Sequence, residues 1–232
     1  MTDFHSHILP GVDDGSKSVE MSLAMLRALA EQGIERVVAT PHFYPKRDNP
    51  ECFLQRRREA CDRLREAVSG EPGFPELVLG AEVYYFPGIS HSDVLQSLTI
   101  AGKRCILIEM PPAPWTESMY RELENIHVQQ GLLPIVAHVD RYIHPLRTFG
   151  IPGRLAELPV LVQANAEFFL RHRRLAMGML RKGQIHLIGS DCHNVTDRPP
   201  NMAGAIREIR RCCGEEILKK LRDLENVVFT VE

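Results

Sequence analysis

Short apolar segments alternate with helical segments from one end of the chain to the other. The apolar segments are rich in Val, Ile and Leu and end at polar residues, as buried strands do. They cover residues 2–4, 36–40, 77–81, 105–108, 135–137, 160–164 and 187–189. Alternating strands and helices predict an α/β fold with parallel strands covered by helices. About seven such units favour a closed or nearly closed barrel over an open doubly wound sheet, although the spacing is compatible with both.

The segments between these strands repeat apolar residues at helical spacing. Residues 19–30 show this spacing and are followed by Gly33, a typical helix stop. The same signature predicts helices over residues 116–130 and 167–182, each closed by a glycine.

The composition is that of an ordinary globular protein. The 232 residues are 44% hydrophobic and 25% charged, and no linker, low-complexity tract or repeat interrupts the pattern, so we expect a single domain over residues 1–232. A core of this size is stable without a metal, so any metal should serve a function. The 28 Lys and Arg against 30 Asp and Glu give a net charge of −2, which argues against nucleic acid as a partner.

The first residues and the cysteines indicate the compartment. The sequence MTDFHSHILP lacks the basic and apolar regions of a signal peptide, and no apolar stretch is long enough to span a membrane. The six cysteines form no CxxC pair, so neither a disulfide scaffold nor a Cys-rich zinc site is predicted. We therefore expect a cytoplasmic protein with no transmembrane segment.

Histidines and carboxylates stand at the ends of nearly all the predicted strands. Because the carboxyl ends of parallel strands converge on one face, we expect these side chains to meet. In the His-x-His and Asp-x-His pairs, the outer side chains point one way while Ser6 and Cys192 point the other. The candidate metal ligands are His5, His7, Asp14, His42, Glu82, Glu109, His138, Asp191 and His193.

Two of these residues predict a metal site directly. Glu82 follows LVLGA and Glu109 follows CILI, and a carboxylate that ends a buried strand is costly unless a cation balances it. Nine donors exceed the needs of one ion, which predicts two or three. Imidazole and carboxylate donors without thiolate suit Mn²⁺, Fe²⁺, Co²⁺ or Zn²⁺ in a catalytic role. Sites with two metals typically hydrolyse phosphoester or amide bonds by activating water.

Other residues near the strand ends suggest substrate contacts. Arg141 and Arg198 follow candidate ligands on two different strands, and guanidinium groups match phosphate oxygens, so we predict catalytic roles for both. An ion pair that orients a ligand is the alternative for each arginine. The aromatic side chains in the predicted loops either line a substrate cleft or pack over the edge of the core. They are Tyr84, Tyr85, Phe86 and Trp115.

The motifs along the chain resemble those of the polymerase-and-histidinol-phosphatase (PHP) superfamily. The resemblance implies a distorted (β/α)7 barrel, similar to a TIM barrel, with a trinuclear metal site. Within this superfamily, nearly the whole chain is similar to the bacterial protein-tyrosine phosphatases of capsule and exopolysaccharide loci. The segments that carry the likeness are DFHSHILPGVDDGSKS, TPHFYP, GAEVYY, LIEMP, VAHVDRY and GSDCHNVTDRPPNM.

This resemblance implies a substrate, a metal and a distribution of ligands. The substrate would be phosphotyrosine on an autophosphorylating bacterial tyrosine kinase that controls capsule or exopolysaccharide synthesis, hydrolysed by metal-activated hydroxide with Mn²⁺ as the expected ion. His5, His7 and Asp191 would hold one ion, Glu109 and His138 a second, and Asp14, His42 and His193 a third, with Glu82 bridging the first two.

Other functions remain possible from the sequence. The spacing Cys192-x5-Arg198 is that of cysteine-dependent tyrosine phosphatases, but HNVTD lacks the glycines that wrap backbone N–H groups around phosphate. Cys52-x5-Arg58 lies in a helical pattern and fails as well. Within the same superfamily, a small phosphomonoester such as histidinol phosphate is the alternative substrate. A metal-bound regulatory module would be expected to have lost ligands, and none is missing.

Overall fold

A computed structural model describes residues 1–143 and 150–230. Within these residues, parallel strands alternate with helices. The strands are β1 (Thr2–Ser6), β2 (Arg36–Ala39), β3 (His42–Phe43), β4 (Glu76–Leu79), β5 (Glu82–Tyr84), β6 (Cys105–Glu109), β7 (Leu133–Val136), β8 (Leu161–Asn165) and β9 (Leu187–Gly189). The helices are α1 (Val19–Glu31), α2 (Pro50–Val68), α3 (Glu117–Gln130), α4 (Ile151–Leu155), α5 (Ala166–Arg171), α6 (Arg173–Arg181), α7 (Met202–Cys213) and α8 (Glu215–Thr230).

The strands form two parallel sheets with the orders β1-β2-β4 and β3-β5-β6-β7-β8-β9. Two of the predicted strands, over residues 36–40 and 77–81, are each followed by a short strand that was not predicted: β3 follows β2, and β5 follows β4, after a gap of two residues. Pro41 lies in the first gap and has no N–H to continue the ladder. The result is a mixed α/β fold with parallel strands, as the alternation of strands and helices predicted. Its parallel sheets form a half-barrel.

The helices begin and end largely where the sequence signals place them. The Ser18 hydroxyl accepts a hydrogen bond from the Met21 N–H at the start of α1, and α3 ends at Gly131, whose φ of 67° suits glycine. The helix predicted over residues 167–182 is broken, because His172 leaves the helical conformation (φ −118°, ψ 40°). The resulting segments α5 and α6 pack against each other and against α7.

Buried side chains fill both faces of the strands. In β6, Ile106 and Ile108 pack in the outer layer against the helices, whereas Cys105 and Leu107 join an inner cluster. Because side chains alternate between the two faces of a strand, Glu109 points to the same inner side as Cys105 and Leu107. It lies at the end of β6, beyond the apolar part of the interior. No helix within residues 1–143 and 150–230 is long and apolar enough to cross a membrane.

Candidate metal centre

The structure brings all nine predicted ligands together at the carboxyl ends of the strands. Most are buried, which is unusual for charged side chains without a partner. His138 and Asp191 also adopt left-handed backbone conformations, with φ values of 32° and 53°. Such strain in residues other than glycine is maintained only where the surroundings enforce it. The fully or nearly fully buried ligands are His5, His7, Glu82, His138, Asp191 and His193, while His42 and Glu109 are partly buried and Asp14 is exposed.

Glu82 lies at the centre of the cluster. Its Oε2 atom is 3.1 Å from His5 Nε2, 3.3 Å from His7 Nε2 and 3.0 Å from His42 Nδ1. Its Oε1 atom is 2.8 Å from His138 Nε2. One buried carboxylate thus contacts four imidazoles from three different segments of the chain, which is an arrangement suited to bridging cations.

Several buried atoms of this cluster have no hydrogen-bonding partner within residues 1–143 and 150–230. They are His42 Nδ1, Glu82 Oε2, Glu109 Oε2 and His138 Nδ1. Buried polar atoms are nearly always hydrogen-bonded, so a concentration of orphaned atoms at one point needs an explanation. Neutral imidazole and carboxylate oxygen are ordinary ligands of divalent transition metals, and the residues present therefore fit such ions.

The ligand atoms fall into three overlapping groups, and the atoms of each group lie within 4.8 Å of one another. Adjacent groups share residues, as expected for closely spaced ions that share a bridging ligand. His138 and Asp191 lie outside these groups but contact their members: His138 Nε2 is 2.8 Å from Glu82 Oε1, and Asp191 Oδ1 is 3.4 Å from His7 Nε2. The groups are His5, His7 and Glu82; His42, Glu82 and Glu109; and His7, Asp14, His42 and His193.

Asp191 is the meeting point of the two predicted catalytic arginines. Arg141 Nη2 is 2.5 Å from Asp191 Oδ2, and Arg198 Nη2 is 2.8 Å from Asp191 Oδ1. Arg198 Nη1 also donates a hydrogen bond to His193 Nε2 at 2.8 Å. Both arginine side chains are about 40% exposed, at 39% and 41%, so a ligand from solvent can reach them.

Asp13 is a site residue that the sequence analysis did not assign. Its Oδ2 atom accepts hydrogen bonds from His7 Nδ1 at 2.7 Å and from the His42 backbone N–H at 2.9 Å, and its Oδ1 atom accepts one from the Gly15 N–H. A carboxylate on the far nitrogen of a metal-binding histidine fixes the ring and its tautomer. A Cβ at Gly15 would lie 2.4 Å from His7 Cβ, so this loop must pack closely on the histidine. The only sequence signal for this role of Asp13 was its position next to the predicted ligand Asp14.

Gln163 and Asn165 form a second supporting contact that the sequence analysis missed. The Gln163 Oε1 atom accepts the His138 backbone N–H at 2.5 Å, and Gln163 Nε2 donates to Asn165 Oδ1 at 3.1 Å. Asn165 Nδ2 in turn donates to Asp191 Oδ2 at 3.0 Å. Both residues are buried on the same face of β8. The sequence signal that could have identified Gln163 and Asn165 is that both are polar and lie at alternating positions of an otherwise apolar strand.

The electrostatics of the cluster follow from burial and neighbouring charge. Burial alone raises the pKa of Glu82, but positive charge on His5 and the hydrogen bond from His138 outweigh it and hold that pKa well below its ordinary value. Burial, with positive charge on His7 and Arg198, lowers the pKa of His193 to about 4. His193 is therefore neutral at pH 7, which is the form that binds a metal.

Cys192 faces away from the cluster. Its side chain is fully buried and packs in the apolar layer against the helices. Burial, together with the negative charge of Asp3, raises the pKa of the Cys192 thiol, so the thiol stays protonated. Neither the exposure nor the thiolate form that a nucleophilic cysteine needs is present.

The predicted aromatic loop residues divide between two environments. Tyr84, Tyr85 and Phe86 line a cavity beside the cluster. Trp115 instead packs on Tyr142, with ring centroids 5.0 Å apart, and its indole N–H donates to the Pro111 carbonyl.

Comparisons with known proteins point to one family. The sequence model of the family described as "Capsular polysaccharide synthesis, CpsB/CapC" matches residues 1–227. The tyrosine-protein phosphatase CpsB of Streptococcus pneumoniae is 29% identical over 238 residues, which cover 95% of this chain and 94% of that protein. The tyrosine-protein phosphatase YwqE of Bacillus subtilis is 27% identical over 229 residues, covering 94% and 87%.

A solved structure shares the fold. It comes from a crystallographic study of YwqE from Bacillus subtilis and CpsB from Streptococcus pneumoniae, described there as unique metal-dependent tyrosine phosphatases. It superimposes with a TM-score of 0.85 at 22% identity and covers 100% of this chain and 96% of the other.

Proposed function

Since the chain belongs to the CpsB/CapC family of capsular polysaccharide synthesis, we propose that it is a metal-dependent protein-tyrosine phosphatase that hydrolyses phosphotyrosine. The observation that carries this proposal is the environment of Glu82. Its buried Oε2 atom contacts three imidazoles and has no hydrogen-bonding partner within the described residues. Such an atom is suited to a cation, and a cation cluster next to two arginines is suited to a phosphate.

The nine ligands would hold two or three ions, with Mn²⁺ proposed and iron, cobalt or zinc compatible with the same donors. When bound, such ions lower the pKa of coordinated water and withdraw charge from phosphate oxygens. The distances support Glu82 as the bridging ligand between the groups that contain His5 and His42. By family resemblance, Asp191 would complete the group of His5 and His7, and His138 would join Glu109.

Arg141 and Arg198 would bind the outer oxygens of the phosphate. Both guanidinium groups lie at the Asp191 end of the cluster and border a polar cavity of about 290 Å³. Preplaced cations stabilise the charge of a phosphoryl group during transfer without reorganisation. The hydrogen bonds from Asp13 to His7 and from Asn165 to Asp191 would keep the ligands oriented while the substrate enters.

We also propose that the strands close into a distorted seven-stranded (β/α)7 barrel and that residues 1–232 are one domain. The contact between the two ends of the sheet order supports closure. Ser6 and Cys192 form a parallel bridge, the Asp191 N–H donates to the His5 carbonyl at 2.7 Å, and the His7 N–H donates to the Cys192 carbonyl at 2.9 Å.

The substrate protein would be an autophosphorylating bacterial tyrosine kinase of capsule or exopolysaccharide synthesis. The family description supports the capsule connection, and the names of the relatives support the phosphotyrosine. All six cysteines are free, which supports a reducing compartment, so we propose that the protein acts in the cytoplasm.

A substrate panel tests the proposed function. A phosphotyrosine peptide, histidinol phosphate and a phosphodiester are assayed with and without Mn²⁺. We expect the phosphotyrosine peptide to be the best substrate and its hydrolysis to require the ion. A higher kcat/KM for histidinol phosphate would instead assign the chain to small phosphomonoesters.

We expect Cys192→Ser to retain most of the activity and all of the bound metal, because the thiol is buried away from the cluster. Cys192→Ala is the matched variant that introduces no buried hydroxyl. Asp191→Ala and His193→Ala should lose both metal and rate. The measurements are kcat/KM and metal content by elemental analysis. If both Cys192 variants were inactive with full metal content, a covalent cysteine mechanism would replace the one proposed here.

A further inference from the structure

An aromatic cavity of about 420 Å³ adjoins the His42 and Glu109 end of the metal cluster. We call it the aromatic cleft; its lining includes Tyr44, Lys46, Arg47, Tyr84, Tyr85 and Phe86. The Tyr44 ring stacks on His42 at 5.0 Å between centroids and lies 5.7 Å from the Tyr84 ring. Tyr84 is paired with Glu109 across β5 and β6. The cleft therefore begins at two candidate metal ligands.

The walls of the aromatic cleft are held in place by hydrogen bonds. The Asp48 carboxylate accepts the Tyr44 N–H at 2.8 Å and pairs with Arg56 at 3.0 Å. On the other wall, the Tyr85 N–H donates to the Glu109 carbonyl at 2.8 Å. The cleft is thus formed before any ligand binds, and its volume is within the range of small-molecule sites.

Two cations stand at the rim of the aromatic cleft. Lys46 and Arg47 are both exposed, and within residues 1–143 and 150–230 neither forms an ion pair with a carboxylate. The Arg47 guanidinium lies 5.3 Å from the centre of the Tyr44 ring. A cleft lined by aromatic rings, with cations at its mouth, is complementary to an aromatic group that has negative charge next to it.

We propose that the aromatic cleft binds the tyrosyl ring of the substrate, and that Lys46 and Arg47 select phosphotyrosines that have an anionic group nearby in the peptide. This inference rests on the proposed phosphatase function. The anionic group is either a carboxylate side chain or a second phosphate, which present the same charge to the rim. Lys46 and Arg47 are specificity residues, because they contact the peptide and not the reacting atoms.

The positions of the two cavities support this orientation of the substrate. Arg141 and Arg198 border the polar cavity at the Asp191 end, where the phosphate oxygens are proposed to bind. In phosphotyrosine a single ester oxygen joins the phosphate to the ring. When the phosphate contacts the metal cluster, the ring therefore lies next to the cluster. The aromatic cleft at the His42 end offers ring contacts there, and aromatic rings attract one another in offset-stacked and edge-to-face arrangements. The peptide backbone then passes the rim.

The test compares three phosphotyrosine peptides that differ only beside the phosphotyrosine, with glutamates, glutamines or a second phosphotyrosine. The variant is Lys46→Ala/Arg47→Ala. The matched control is Arg207→Ala/Lys219→Ala, which removes one exposed arginine and one exposed lysine from α7 and α8. p-Nitrophenyl phosphate reports on the ring and phosphate alone.

The rim variant should lower kcat/KM for the glutamate peptide, the bisphosphorylated peptide or both by about five- to tenfold, chiefly through KM, as expected for two exposed charge contacts. The peptide whose kcat/KM falls shows whether the rim recognises a carboxylate or a second phosphate. The glutamine peptide, p-nitrophenyl phosphate and the control variant should change little. Tyr84→Ala should raise KM for p-nitrophenyl phosphate several-fold while metal content and thermal stability are retained.

Equal hydrolysis of all three peptides by the wild-type protein, or an equal loss on every substrate in the rim variant, would overturn the inference about the rim. An unchanged KM for p-nitrophenyl phosphate in Tyr84→Ala would overturn the position of the ring. Failure of the proposed function looks different, because the wild-type protein would then hydrolyse none of the phosphotyrosine substrates.

Discussion

Removal of divalent cations is expected to reduce hydrolysis of a phosphotyrosine peptide to the level without enzyme, and Mn²⁺ is expected to restore it. Cys192, the cysteine between two of the ligands, is buried and protonated and is therefore no competing nucleophile. Without cations, the charge of Asp191 is balanced by Arg141 and Arg198, the same groups that are proposed to bind phosphate. Both water activation and phosphate binding should therefore fail together.

Thermal stability gives a second measure of metal binding that does not depend on turnover. Ions that bind only the folded chain stabilise it, and at about 100 times Kd the gain is about 2.7 kcal/mol. For a chain of this length, Tm should rise by roughly 5–10 °C when Mn²⁺ is added to the stripped protein. Chelator already saturated with Mn²⁺ is the control for effects of the chelator itself. Full activity in protein shown to be metal-free by elemental analysis would contradict the metal-dependent mechanism.

The convergence of the nine ligands could be predicted because it depends on topology alone. Each ligand ends a strand or follows one closely, and parallel strands bring their carboxyl ends to one face whatever the details of packing. The identity of Glu82 as the central carboxylate could not be derived in the same way, since Glu109 has the same local pattern of an apolar run followed by an acid. The family resemblance distinguished the two glutamates, and the distances from Glu82 to His5, His7 and His42 agree with its central position.

Local sequence signals could not predict the supporting residues or some of the element boundaries. Asp13 contacts His7, 6 positions away, and also His42, 29 positions away. Gln163 contacts His138, 25 positions away. Periodicity reports which face of an element is buried but not which polar atoms meet across it. The break at His172 likewise arises in a segment whose spacing is helical throughout, where packing on α7 overrides local preference.

We expect Arg198→Ala to lower kcat/KM for a phosphotyrosine peptide by roughly 10²-fold, the typical effect of removing one donor to transition-state charge. The side chain is positioned for this role by its own loop. The Asn194 Oδ1 atom accepts the backbone N–H groups of Thr196, Asp197 and Arg198, and the His193 N–H donates to the Arg198 carbonyl. Arg207→Ala, an exposed arginine on α7, is the control for the loss of one positive charge.

The same geometry allows a different role for Arg198, and metal content separates the two. Arg198 contacts both Asp191 Oδ1 and His193 Nε2, so it could act by orienting two metal ligands instead of binding phosphate. A residue that binds phosphate should lose rate while metal stoichiometry and affinity stay unchanged, and Arg198→Lys should recover part of the rate, because an ammonium still attracts phosphate without the bidentate contact. A residue that orients ligands should show weaker metal binding, and excess Mn²⁺ should then restore the rate of Arg198→Ala. Recovery at high Mn²⁺ would therefore reassign Arg198 from the substrate to the metal site and leave Arg141 as the phosphate-binding arginine.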